Sequence, residues 1–78
     1  MQYVYCLQHR QSKEFYYGYT ADLRRRVAEH QRKDRYWSLL YYEAYRSPAD
    51  ARRRESKLKD YGNARVQLKK RLQDSKFV

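Results

Sequence analysis

The sequence predicts a small α/β domain of the α+β kind, with elements in the order strand, strand, helix, strand, helix, helix. Three observations carry that reading. Two aromatic runs near the N-terminus, Tyr3 to Leu7 and Phe15 to Thr20, have β-favouring composition. Asp22 then opens a stretch in which Leu23, Val27 and His30 recur at helical spacing. A third aromatic run, Tyr36 to Tyr45, gives way to Ser47-Pro48-Ala49-Asp50, a helix start with serine at the cap, proline at the first helical position and an acid at the third.

In the first strand Tyr3, Tyr5 and Leu7 alternate with Val4 and Cys6, and both sets are apolar enough for each face to be covered. Gln8 to Glu14 is polar and fits a hairpin loop into the second strand. Gly18 interrupts that strand, where a glycine commonly marks a bulge or a close backbone approach. The first helix is expected from about Asp22 to Gln31, capped by Asp22, with Arg32 to Arg35 as a charged connection. In the third strand Trp37, Leu39 and Tyr41 alternate with Tyr36, Leu40 and Tyr42, so a central or well-covered position is expected. The second helix is expected to run to about Tyr61, with Gly62-Asn63 as its stop. Ala64, Leu68 and Leu72 predict a third helix over Ala64 to Gln73, and Asp74 to Val78 is expected to fray.

The 78 residues make one domain, residues 1–78, with room for only a modest core. Ten tyrosines imply that much of this core is phenol rings whose hydroxyls reach water or a polar partner. Nineteen Lys and Arg against nine Asp and Glu give a net charge of +10, which points to nucleic acid as the partner through counterion release from phosphates. An anionic membrane surface is the competing partner, but no segment is long or apolar enough to span a bilayer. The single cysteine, Cys6, excludes an internal disulfide and a cysteine-cluster metal site, and is expected to pack as a small hydrophobe. MQYVYCL is neither a basic leader nor a long apolar run with a cleavage site, so a cytoplasmic protein is expected.

The chemistry is expected at the junction of strand and helix, FYYGYTADLRRRVAEH. Asp22, Arg26 and His30 follow one another at single-turn spacing and share a flank beside the apolar stripe, where they can meet Tyr16 from the strand. The bland alternative is a solvated arginine face and a histidine ending a surface helix. In the second helix Glu55 stands four residues after Ala51 and three before Leu58, in line with the apolar stripe Ala51, Leu58 and Gly62. An inward carboxylate is costly unless it is paired or holds a cation, so the alternatives are a salt bridge to an arginine and a metal ligand facing a cleft.

These residues resemble the GIY-YIG nuclease superfamily, most closely its small single-domain bacterial members. The first motif stands here as Tyr3-Val4-Tyr5 and the second as Tyr16-Tyr17-Gly18, followed by Tyr19-Thr20-Ala21-Asp22-Leu23, Arg26, His30 and the Ala51-to-Leu58 helix with Glu55. The resemblance implies a three-stranded antiparallel sheet flanked by helices and divalent-metal-dependent hydrolysis of phosphodiester bonds, usually in DNA. It implies that Glu55 holds the metal, Mg²⁺ or Mn²⁺, and that Tyr16, or less readily Tyr5, activates or positions the attacking water. Arg26 would hold the scissile phosphate, and His30 would assist there or orient a tyrosine. A guanidinium and a hard cation suit the negative charge that builds in such a reaction. The chain departs from the family pattern at Tyr3, in place of glycine, at Tyr17, in place of an aliphatic residue, and in a shorter link between first helix and third strand. No second DNA-binding module is read, so weak or non-specific cutting, or reliance on a homodimer or partner, is expected.

A second reading is a module of the same fold without turnover, binding DNA or RNA through Arg24, Arg25, Arg32, Lys33 and the basic third helix, with tyrosines stacking on bases. A third is a small assembly protein whose tyrosines form an interface. The presence of Tyr5, Tyr16, Arg26, His30 and Glu55 together favours the enzyme, since a pure binder does not need an inward-facing acid beside phosphate.

Overall fold

Strand β1 (Gln2–His9) carries no charged side chain from Val4 to Gln8, and all five of these residues are buried. Such a strand can be covered on both faces and paired on both edges, and it forms the centre of a three-stranded sheet. The order is β2-β1-β3, with β2 (Phe15–Thr20) and β3 (Trp37–Tyr45) both antiparallel to β1. Helix α1 (Leu23–Lys33) follows β2, and α2 (Pro48–Asp60) and α3 (Gly62–Arg71) follow β3, giving the expected order β-β-α-β-α-α. The structure is a computed structural model and describes residues 1–60 and 62–76.

Helices α2 and α3 cover one face of the sheet. Val4, Cys6 and Tyr17 meet Ala51, Leu58 and Leu68 there, with Phe15, Leu40, Tyr41, Tyr45, Ala64 and Leu72 packed around them. Burying each of the leucines contributes roughly 1.5–3 kcal/mol. Cys6 behaves as the hydrophobe expected: burial pushes its thiol up to about 12. The buried Tyr17 hydroxyl makes no hydrogen bond of ordinary geometry among the described residues and leans on that thiol, a weak partner. Tyr3, Tyr5 and Leu7 project from the other face, which α1 covers and where Tyr5 meets His30.

The caps expected from the sequence are in place. Asp22 accepts a hydrogen bond from the Arg25 N–H at 3.1 Å, and the Ser47 carbonyl takes the Ala51 N–H at 3.2 Å as α2 begins at Pro48.

Four expectations need correction. β3 lies at an edge of the sheet and is only half covered, because the uniformly buried β1 takes the centre. The register slips between Cys6 and Leu7, so that Cys6 faces Tyr41 while Leu7 faces Leu39. Leu40 is the extra residue, and this bulge breaks the expected alternation: Leu40 and Tyr41 both join the core, leaving Leu39 and Tyr42 on the α1 face. Helix α1 takes in Arg32 and Lys33, and the link to β3 shrinks to residues 34–36. Helix α3 takes in Gly62 and Asn63, and so begins two residues before the expected Ala64, while α2 runs to Asp60. The expected helix end at Tyr61 and the fraying of Phe77 and Val78 lie outside the described residues. Before them, the Ser75 and Lys76 N–H groups both bond the Leu72 carbonyl, so the chain is turned through Lys76.

Candidate active site

Tyr5, at the middle of the central strand, stands opposite Gly18 on β2. A Cβ at Gly18 would lie 2.6 Å from the Tyr5 hydroxyl and 2.7 Å from the carbon that bears it. Gly18 is therefore glycine to make room for the Tyr5 ring. It has no positive φ and the β1–β2 register is regular across it, so of the two expectations for Gly18 the close approach holds and the bulge does not.

The Tyr5 hydroxyl lies 3.2 Å from His30 Nε2. The His30 ring in turn packs 4.7 Å from that of Tyr16, with Tyr5 and Tyr16 6.2 Å apart, centroid to centroid. Burial first, then the neighbouring Tyr16, pushes Tyr5 up to about 12, with Arg26 opposing. Burial, then Arg26 and Lys33, pulls His30 below the ordinary histidine range. Near neutral pH the pair is thus a phenol and a neutral imidazole, and in the Nδ1–H tautomer the hydroxyl donates to Nε2. Tyr16 is the open member, with 40% of its surface exposed.

Two charged groups reach this cluster from helices on opposite faces of the sheet. Arg26 of α1 is half exposed and only loosely held, 3.9 Å from the Glu29 carboxylate. Glu55 of α2 turns inward between the buried Ala51 and Leu58. Its charge acts on the Tyr5 hydroxyl in the raising direction, as that of Arg26 does in the lowering one. Its partner is Lys59, whose Nζ lies 3.5 Å from Glu55 Oε2 and 5.8 Å from the centre of the Tyr16 ring. The salt bridge weighed for Glu55 therefore exists, made by a lysine one turn on and not by an arginine.

The structure thus draws Tyr5, Tyr16, Arg26, His30 and Glu55 around one hydroxyl. Asp22 is spent on its cap and does not join them. Arg24, Arg25, Arg32 and Lys33 are divided, because successive helical residues fan around the axis. Lys33 shares the His30 flank, Arg25 pairs with Glu29 at 3.0 Å, and Arg32 is exposed. Arg24 lies on the opposite flank, beside a groove of about 630 Å³ with Tyr3, Val27, Leu39 and Tyr42. That groove is lined by none of the five clustered residues.

Three further polar arrangements escaped the sequence reading. Glu43 on β3 receives Arg54 Nε at 3.0 Å and Nη2 at 3.0 Å, together with the Tyr41 and Tyr45 hydroxyls. His9 accepts the Gln11 and Ser12 N–H groups on Nδ1 and donates from Nε2 to Asp34 at 2.7 Å, tying the end of β1 to the link after α1. Lys59 was legible in principle, since a carboxylate followed by lysine at i+4 is a pairing signal.

Among the described residues no three His, Cys, Asp or Glu side chains gather as a metal cage. A single half-buried carboxylate beside an ammonium is still a position that favours positive charge. A lone carboxylate is compatible with a divalent cation that keeps most of its waters and takes few protein ligands. No helix among the described residues is long and apolar enough to cross a membrane.

The three-stranded antiparallel sheet flanked by helices is consistent with a nuclease-type α/β fold. The model of the GIY-YIG catalytic domain matches residues 1–71, and the chain belongs to the GIY-YIG family, as its motifs led one to expect. That family is generally one of nucleases, and its nucleases generally depend on a divalent metal. Neither curated proteins nor solved structures provide a match.

Proposed function

We propose that the protein is an endonuclease that hydrolyses phosphodiester bonds in DNA with Mg²⁺ or Mn²⁺ held at Glu55. One observation supports the proposal above all: the Tyr5 hydroxyl of β1 lies 3.2 Å from His30 of α1 and feels Tyr16 of β2, Arg26 of α1 and Glu55 of α2, a guanidinium and a carboxylate among them. A bound cation would supply charge neutralisation at the phosphate and a more acidic water.

The chain's own residues do the rest. Arg26, exposed and weakly paired, holds the scissile phosphate and offsets the charge that grows on its oxygens. Tyr16, open to solvent, positions the attacking water, while neutral His30 fixes the tyrosine rings and can take a proton. Tyr5, which keeps its proton well above neutral pH, serves as a hydrogen-bond donor and is a poor base. Arg25, Arg32, Lys33 and the basic α3 hold the nucleic-acid backbone around the cleft, and Arg24 does so from the far flank.

Plasmid nicking with Mg²⁺ tests this. Arg26→Ala and Glu55→Ala are expected to lose at least ~10²-fold in rate, the scale of removing one charge-stabilising group. Glu55→Ala should keep or strengthen DNA binding. Equal residual cleavage in all three preparations would sink the enzyme and leave a nucleic-acid-binding module of the same fold, a reading that the +10 charge and exposed Tyr16, Tyr19 and Tyr42 support. Parallel assays on RNA set the substrate class, and sedimentation decides between monomer and homodimer. The cytoplasm is the proposed site of action.

A further inference from the structure

Lys59 is placed at the border between two differently charged environments. On one side is Glu55, 3.5 Å away, its side chain only 17% exposed and fixed between two core residues. On the other is an opening of about 440 Å³ at the outer edge of β2, lined by Phe15, Tyr16, Tyr17, Lys59, Arg65 and Lys69. This opening has three cations and no acid in its lining. Lys69 lies 4.3 Å over the Phe15 ring, and Arg65 donates to the Leu58 and Lys59 carbonyls at the end of α2, so two of the three charges are anchored. Lys59 has the longer contacts, to Glu55 at 3.5 Å and over the Tyr16 ring at 5.8 Å. Its side chain is 47% exposed, and its pairing with Glu55 is of the i,i+4 helical kind, worth little and easily exchanged.

We propose that Lys59 is the resident counter-ion of Glu55, which holds the acid until a nucleic-acid phosphate in the Lys59–Arg65–Lys69 opening draws the ammonium away and leaves the carboxylate to a divalent cation. The inference rests on the reading of Glu55 as metal ligand and adds a condition to it. An ammonium against Glu55 opposes a divalent ion at the same oxygen, weakening its binding by about tenfold at water-like screening. The free protein therefore binds metal poorly, and substrate and metal enter together. Tyr16, which borders the opening and packs against His30, places that phosphate next to the cluster.

Titration of the free protein with Mn²⁺ alone, followed by electron paramagnetic resonance, reads this directly. Lys59→Met is expected to bind Mn²⁺ about tenfold more tightly than wild type, Lys59→Arg to behave as wild type, and Glu55→Gln to lose the site. In EDTA, Lys59→Met should bind a DNA duplex more weakly, with a log–log salt slope smaller by about one phosphate contact. The two effects run in opposite directions, which loss of folding does not produce. Equal Mn²⁺ affinity of Lys59→Met and wild type, with Glu55→Gln weakened, overturns the counter-ion role and leaves the metal site standing. Unchanged binding in Glu55→Gln overturns both.

Discussion

Glu43 and Glu55 are almost equally buried, at 14% and 17% side-chain exposure, yet they live in opposite electrostatic circumstances. Glu43 has its carboxylate filled: a two-pronged Arg54 and two tyrosine hydroxyls use both oxygens. Burial alone would raise it, but the bonds from Arg54, Tyr45 and Tyr41 prevail and hold it below the usual carboxylate range. Arg54 is raised in return, first by its bond to Glu43. Among the described residues Glu55 has one long contact, to the half-exposed Lys59 at 3.5 Å. Burial thus fails to tell these two acids apart, whereas the number of hydrogen bonds each makes does.

The largest effect that would break this contrast is on stability. Glu43→Ala leaves Arg54 charged and half buried with no partner and is expected to lose on the order of 3 kcal/mol in urea unfolding. Glu55→Gln should change stability by less than about 0.5 kcal/mol, the scale of a single i,i+4 helical pair, while removing cleavage. If Glu43→Ala unfolds no more easily than Glu55→Gln, the distinction fails. Gly18→Ala comes next. Its methyl would fall inside the Tyr5 hydroxyl and must displace a buried ring, costing about 1–3 kcal/mol and the His30 contact together. Retained nicking with a normal melting temperature would show that Tyr5 need not sit where it does.

Acid provides a gentler probe. Glu43 is lowered in the folded state from 4.5, so its contribution is fully present above that pH and disappears as pH falls through the folded value. Acid unfolding should therefore steepen below about pH 4.5, and Glu43→Gln should flatten that limb. Smallest is the effect of His30. Because it is lowered from 6.5, it stays neutral to a more acidic pH than a free histidine, and the acid limb of the nicking rate should lie below 6.5. A limb at or above that value would mean that His30 does not govern it.

Much of this was legible in the chain. Asp22, Ser47 and Pro48 announce their helix starts by local hydrogen-bonding chemistry, and Glu55 stands out as an acid in an apolar stripe because four-residue spacing is itself local. What escaped depends on pairing across the fold. Gly18 shows its use only when register brings Tyr5 opposite it, and the bulge at Leu40 only when β3 meets β1. Glu43 looked like one acid in an aromatic strand, since Arg54 comes to it from the following helix. Arg24, Arg25, Arg32 and Lys33 were grouped as one binding set, but successive helical residues fan around the axis and divide them.

The central claim is that a divalent ion settles beside Tyr5, Tyr16 and His30 through Glu55. Paramagnetic broadening by Mn²⁺ in nuclear magnetic resonance spectra, recorded with a DNA duplex bound to nicking-deficient Arg26→Ala, tests it most directly. The prediction is that Tyr5, Tyr16 and His30 signals broaden first and that adding Glu55→Gln abolishes the effect. Broadening centred on Glu43 or Asp34, or unchanged by Glu55→Gln, would contradict it.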